Sequence, residues 1–255
     1  MKIAISGKGG VGKTTIMGLL ARQTQQSGRQ VLVIDADPSP HMAQALGVEN
    51  ISDITPIADM KKMLAERAGK VEGSPFYNIN PRVDDLPAQF MLEKDGIRLM
   101  VLGAIQTAEG GCACPENTVL KRLLTKLLLN PGQTVLLDME AGVEHLGRGT
   151  IAGVDGLLIV VIPTRSSVRT GLKIQKLARE SRIPRIFFVG NLVADQDDEL
   201  FLADGLGEKP LVCFPDSSRI RKAERADQPI TEADEAMDRV ALQLLAALVD
   251  RIAQK

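Results

Sequence analysis

Near the start of the chain, Gly7-Lys8-Gly9-Gly10-Val11-Gly12-Lys13-Thr14-Thr15 fits the pattern G-x-x-x-x-G-K-[ST] in full. It stands between a short apolar run, Lys2–Ser6, and a helical stretch, Thr14–Ser27, that Gly28 stops. A glycine-rich turn between a strand and a helix lets successive backbone N–H groups curl round an anion. The helix N-terminus adds its dipole. The pattern therefore asks for strand, phosphate loop and helix in that order, and the next apolar run, Val31-Leu32-Val33-Ile34, completes a βαβ unit. Such units imply a parallel sheet buried on both faces.

The rest of the chain repeats that alternation. Val135-Leu136-Leu137, Leu157–Ile162 and Ile186–Val189 read as buried strands, with Leu211–Phe214 as a short late one. Helices are expected at Ile57–Ala68, Glu116–Leu129, Val168–Ser181, Asp197–Leu202 and Ala233–Ala253, and a hairpin at Phe90–Leu102 about Asp95-Gly96. The longest irregular segments are Val71–Pro87 and Gly103–Pro115. The expected fold class is α/β, a P-loop NTPase with a mostly parallel central sheet and helices on both faces. The length suits one such domain over residues 1–255.

Charge narrows the partners. The 31 basic and 32 acidic residues leave no basic excess, so no nucleic acid is expected as partner, although a local basic stripe can hide in a neutral total. The final helix carries Met237, Val240, Ala241, Leu244, Leu248 and Ile252 on one face. A reversible membrane anchor would want a basic polar face. Here Glu235, Asp238 and Asp250 offset Arg239, Arg251 and Lys255, so the helix is expected to pack on the sheet, with no membrane contact. No apolar stretch approaches a membrane span, and the apolar run at Lys2 suggests no signal peptide. Three cysteines make no disulfide scaffold, which points to the cytoplasm.

In the loop, Gly7, Gly9, Gly10, Val11 and Gly12 offer backbone to phosphate, and Lys13 reaches the β- and γ-phosphates. The Thr14 hydroxyl suits Mg²⁺, a hard cation that takes oxygen ligands, and Thr15 completes the motif. Asp35-Ala36-Asp37-Pro38 follows the second strand, and Asp138 closes the strand Thr134–Leu137 before Met139-Glu140-Ala141-Gly142. Carboxylates at strand ends beside such a loop suit phosphoryl transfer, which needs positioning and charge neutralisation. The guanine-reading N-K-x-D is absent, because Leu192 and Ala194 stand where its Lys and Asp would be, and ATP is therefore the expected nucleotide.

Lys8 is an additional lysine that an ordinary phosphate loop does not need. With it the motif resembles the deviant Walker A ATPases, the class of MinD, ParA and the nitrogenase iron protein, whose signature is K-G-G-x-G-K-[ST]. The resemblance implies a homodimer in which Lys8 reaches the partner's nucleotide. It also implies that Asp37 positions the attacking water, Asp35 supports Mg²⁺, Asp138 holds the Mg²⁺ shell and the Gly142 N–H senses the γ-phosphate. Lys8, Lys13, Asp37 and Asp138 are then the catalytic set. By the same resemblance Asn191 contacts the adenine, and Pro215-Asp216 forms a second base-contacting loop.

Glu109-Gly110-Gly111-Cys112-Ala113-Cys114-Pro115-Glu116-Asn117 is the other chemically pointed segment. Pro115 and Glu116 suit a first helical turn, which puts Cys114 at the N-cap, where a thiol is acidified. Two thiolates are too few for a closed structural zinc site. A two-fold dimer brings Cys112 and Cys114 together from both chains and supplies four sulfurs, suited to Zn²⁺, an iron–sulfur centre or square-planar Ni²⁺. Free thiols or a reversible disulfide is the plainer alternative. His145 is a further candidate ligand, and Cys213 reads as a buried core cysteine.

Taken with Val143–Thr150, these segments resemble the nickel-insertion ATPases that mature carbon monoxide dehydrogenase, whose siblings serve acetyl-CoA synthase. That implies a metallochaperone with Ni²⁺ as cargo and an apo-enzyme as client. Two rivals stay open: an ATP-gated electron donor with a dimer-bridging iron–sulfur cluster, and a ParA/MinD-type positioning ATPase.

Overall fold

The computed structural model describes residues 1–37, 41–70, 76–103, 115–129, 132–139, 153–231 and 233–253. Eight strands form one sheet: β1 (Lys2–Gly7), β2 (Val31–Ala36), β3 (Leu92–Lys94), β4 (Ile97–Val101), β5 (Thr134–Met139), β6 (Gly156–Val161), β7 (Ile186–Val193) and β8 (Cys213–Pro215). Their order is β3-β4-β2-β5-β1-β6-β7-β8. Every pairing is parallel except β3 with β4, the hairpin at one edge. Its turn residues Asp95 and Gly96 both have positive φ, at 50° and 77°, the conformation that a right-twisted two-residue hairpin turn requires.

The helices are α1 (Lys13–Gln26), α2 (Met42–Ala45), α3 (Lys61–Arg67), α4 (Leu86–Phe90), α5 (Pro115–Leu129), α6 (Arg165–Glu180), α7 (Gln196–Leu206), α8 (Ser218–Arg225) and α9 (Glu235–Ala253). Continuous apolar strands need cover on both faces, and two cores form accordingly. On one face α3, α5, α6 and α7 contribute Leu64, Leu123, Ile174 and Leu202. On the other, α1, α2, α8 and α9 contribute Leu20, Met42, Ile220 and Leu244. The α9 face packs as expected, with Met237, Ala241, Leu244 and Leu248 buried together with Leu245. Among the described residues no helix is long and apolar enough to cross a membrane.

Several boundaries differ from the sequence reading. The helix expected over Ile57–Ala68 is broken into a 3₁₀ turn, Ile57–Asp59, and α3. Met60 between them has ψ 53°, and the Ala58 N–H donates to the Leu102 carbonyl (2.9 Å) and so ties the turn to the sheet. Phe90 closes α4 and is not part of the hairpin. The late strand begins at Cys213, two residues beyond the expected start. Strand β7 runs on to Val193, four residues beyond the expected Val189, through an irregularity against β8, so Asn191 lies within the strand.

Candidate active site

The phosphate loop is held by close contacts on two sides. A Cβ on Gly7 would stand 2.7 Å from the Val160 carbonyl oxygen on β6. Gly12 caps α1 at φ 88°, and a Cβ there would stand 2.3 Å from Nδ2 of Asn191. The same Nδ2 donates to the Val11 carbonyl (2.8 Å), so β7 clamps the loop from beneath. Asn191 is buried, and its Oδ1 has no partner among the described residues. The clamp escaped the sequence reading because it joins residues 180 positions apart. Only the bare spacing G-x-G-K hinted that something crowds Gly12.

Lys13 opens α1 and is 8 % exposed, its charge held at the loop. Asp35 and Asp138 are direct partners in the β2–β5 register, which places two carboxylates side by side. The Thr14 hydroxyl donates to Oδ2 of Asp138 (2.7 Å), while Oδ1 of Asp138 is buried and unpartnered among the described residues. Burial pushes the Asp138 carboxyl up to about 7, against the Thr14 hydrogen bond, with neighbouring Asp35 adding to the rise. Asp35 is raised to about 6, again by burial, although its oxygens accept the backbone N–H groups of Met42 (3.0 Å) and Asp37 (3.2 Å). Two buried carboxylates, one with an open oxygen, beside a hydroxyl form an all-oxygen donor set that fits Mg²⁺. Asp35 already has both oxygens engaged, so Asp138 and Thr14 are the better placed to hold the cation directly.

A cavity of about 700 Å³ opens over the loop and is lined by Gly9, Gly10, Gly12, Lys13, Thr14 and Thr15. Asp37, Asn191 and Pro215 also face it. Gly7, Val11, Asp35 and Asp138 support its floor from behind and are not among its lining residues. Asp216 acts at one remove, through an ion pair with Arg221, which does line the cavity. Lys8 is exposed, and its Nζ donates to the Ser166 hydroxyl at the start of α6 (3.1 Å). The sequence reading also missed the distal wall, where Thr15 donates to Glu224 (3.2 Å) and Gln44 to Asp227 (2.7 Å). Gln44 on α2, Glu224 on α8 and Asp227 just beyond α8 are ordinary polar residues that no motif marks.

Cys112, Cys114, Gly142 and His145 lie outside the described residues. The helix expected after the cysteines does begin at Pro115. Cys213 is only half-buried, a correction to the core reading. Its thiol is pushed up to about 11, chiefly by burial, which disfavours the thiolate.

A parallel sheet, a strand–loop–helix cradle for phosphate and paired strand-end carboxylates define a P-loop nucleoside triphosphatase. Residues 2–230 match the CobQ/CobB/MinD/ParA nucleotide binding domain, and the chain belongs to that family of P-loop ATPases. Over 257 aligned positions it is 42% identical to the carbon monoxide dehydrogenase accessory protein CooC of Rhodospirillum rubrum, covering 99% of this chain and 97% of that protein. An uncharacterized ATP-binding protein of Methanocaldococcus jannaschii is 40% identical over 235 residues, 90% of this chain and 91% of its own. In fold the chain resembles MinD of Pyrococcus horikoshii complexed with Mg-ADP, with TM-score 0.68 at 19% identity, covering 100% of this chain and 98% of that one.

Proposed function

We propose that this ATPase is an accessory factor for carbon monoxide dehydrogenase, loading Ni²⁺ as cargo into the apo-enzyme or into a related acetyl-CoA synthase. The observation that carries the reading is the 42% identity to CooC along nearly the whole of both chains. On this reading residues 1–255 act as one ATPase domain in the cytoplasm, where thiols stay reduced.

Each residue then has a task. The loop Gly7–Thr15 wraps the phosphates, and Lys13 neutralises them. Thr14 and Asp138 hold Mg²⁺ with Asp35 behind them, and the cation screens charge on the transferred phosphoryl group when bound. Asp37 orients the attacking water. Asn191, Pro215 and Asp216 frame the adenine. Lys8 leaves Ser166 and reaches the nucleotide of a second copy, so that ATP tightens a homodimer. Cys112 and Cys114 of both copies hold one Ni²⁺, or Zn²⁺, and hydrolysis relaxes that site.

The test is activation of an apo-carbon monoxide dehydrogenase by limiting Ni²⁺. The chain with ATP should raise activity over Ni²⁺ alone, and the Cys112→Ala/Cys114→Ala variant should not. Equal activation by that variant would refute the assignment.

A further inference from the structure

Helix α6 carries Arg165, Arg169, Lys173, Lys176 and Arg179, and one carboxylate, Glu180, in a chain of net charge −1. All five cations are exposed. Among the described residues none of them is paired with a carboxylate. The positions 165, 169, 172, 173 and 176 recur at helical spacing and make one stripe. Within that stripe Leu172 is 36% exposed, and Phe201 on the adjoining α7 is 37% exposed.

Between the two helices lies a groove of about 420 Å³, lined by Arg165, Val168, Arg169 and Leu172 of α6 and by Phe201 and Gly205 of α7. Gly205 lines it without a side chain, and a Cβ there would already stand 3.1 Å from Val168. Two guanidiniums beside an open apolar slot match the composition of protein recognition surfaces, where arginine and aromatic residues concentrate. Arginine clusters also serve as receptors for acidic motifs.

We infer that the α6–α7 groove docks an acidic protein segment whose bulky apolar side chain enters the slot beside Leu172 and Phe201 while its carboxylates pair with Arg165 and Arg169. The charges on α7 beside the groove decide among polyanions. Asp197 and Asp204, one turn to either side of Phe201 on α7, are exposed. A nucleic-acid duplex or an anionic bilayer spreads negative charge over its whole area and meets those carboxylates. A peptide carries its charge only where the arginines stand. Two α6 stripes facing each other across a two-fold axis would oppose cation to cation, which disfavours a second copy. The site adjoins the nucleotide loop, because Ser166 in the first turn of α6 accepts from Lys8. The inference does not depend on the metal or on the client proposed above.

The test is fluorescence anisotropy of the full chain with a short labelled peptide of glutamates around a central phenylalanine. Saturable binding should weaken about tenfold or more in Arg165→Glu/Arg169→Glu and, separately, in Phe201→Ser. Replacing the peptide's phenylalanine by serine should weaken it likewise. Lys121→Glu/Arg122→Glu on α5 should bind as wild type does, and unchanged ATP turnover in each variant shows that it is folded. Absence of saturable binding, or equal loss in the α5 variant, would overturn the inference. So would loss in the arginine variant alone, which would leave a mere charge patch. Tighter binding of a DNA duplex or of phosphatidylserine vesicles than of the peptide would overturn it too, as would self-association abolished by the same variants.

Discussion

Replacing Gly12 by Ala probes the clamp under the phosphate loop. Two costs are expected. The residue sits at φ 88°, and an L side chain in the left-handed region costs about 1–2 kcal/mol. The new Cβ would also stand 2.3 Å from Asn191 Nδ2, which must move. Moving it breaks the Asn191–Val11 hydrogen bond and leaves a buried group unpaired, at about 1–3 kcal/mol. Together Gly12→Ala should destabilise by about 2–5 kcal/mol. In an Asn191→Ala background only the backbone cost remains, so the same change should cost about 1–2 kcal/mol. The assay is urea unfolding of the wild type, both single variants and the double variant, read as a cycle. Strict additivity would refute the clamp, because the two costs would then not share Asn191. Nucleotide affinity should fall with Gly12→Ala, since the loop that presents Lys13 is displaced.

Asp37→Ala should keep Mg-ATP binding and lose most hydrolysis, seen by comparing equilibrium binding with phosphate release; a parallel loss of both would move its role to the phosphates. ATP should outcompete GTP in a displacement titration, since Leu192 and Ala194 provide no guanine-reading pair, and equal affinity would contradict this. The raised carboxyl values of Asp138 (about 7) and Asp35 (about 6) bind protons more tightly in the folded than in the unfolded chain. Without nucleotide, the stability contributed by these two groups is therefore fully present below about pH 4 and falls by a few kcal/mol as pH rises from about 4 through about 7. Mg-ATP should flatten that profile, and a nucleotide-free melting temperature that rises over this window would show that the pair is not buried as described.

The central sheet and the loop were legible because each depends on local pattern. Strands β1, β2 and β5 each carry an apolar run of three or more residues and β6 is apolar throughout, and Gly7–Thr15 has a spacing that little else satisfies. The Asp35–Asp138 pair could be read as two strand ends, but only the β2–β5 register shows them as neighbours. What stayed hidden depends on distance along the chain. Asn191 beneath Val11 and Lys8 against Ser166 are single contacts between remote residues, with no periodicity to announce them. The break at Met60 likewise follows from a tie to Leu102, which overrides a helical pattern that is sound in isolation. The basic stripe on α6 was masked by the near-zero net charge of the chain.

The proposed metal cargo rests on Cys112 and Cys114 acting in pairs across two chains. Its most direct test is the stoichiometry of Ni²⁺ bound, by competition against a chelator, with the mass in solution measured on the same samples with and without ATP. The account predicts one metal per dimer, with metal and dimerisation favouring each other by a single coupling free energy. Affinity should fall as protons compete for the thiolates in acid. One Ni²⁺ held tightly by a monomer, or binding unchanged in the Cys112→Ala/Cys114→Ala variant, would contradict it.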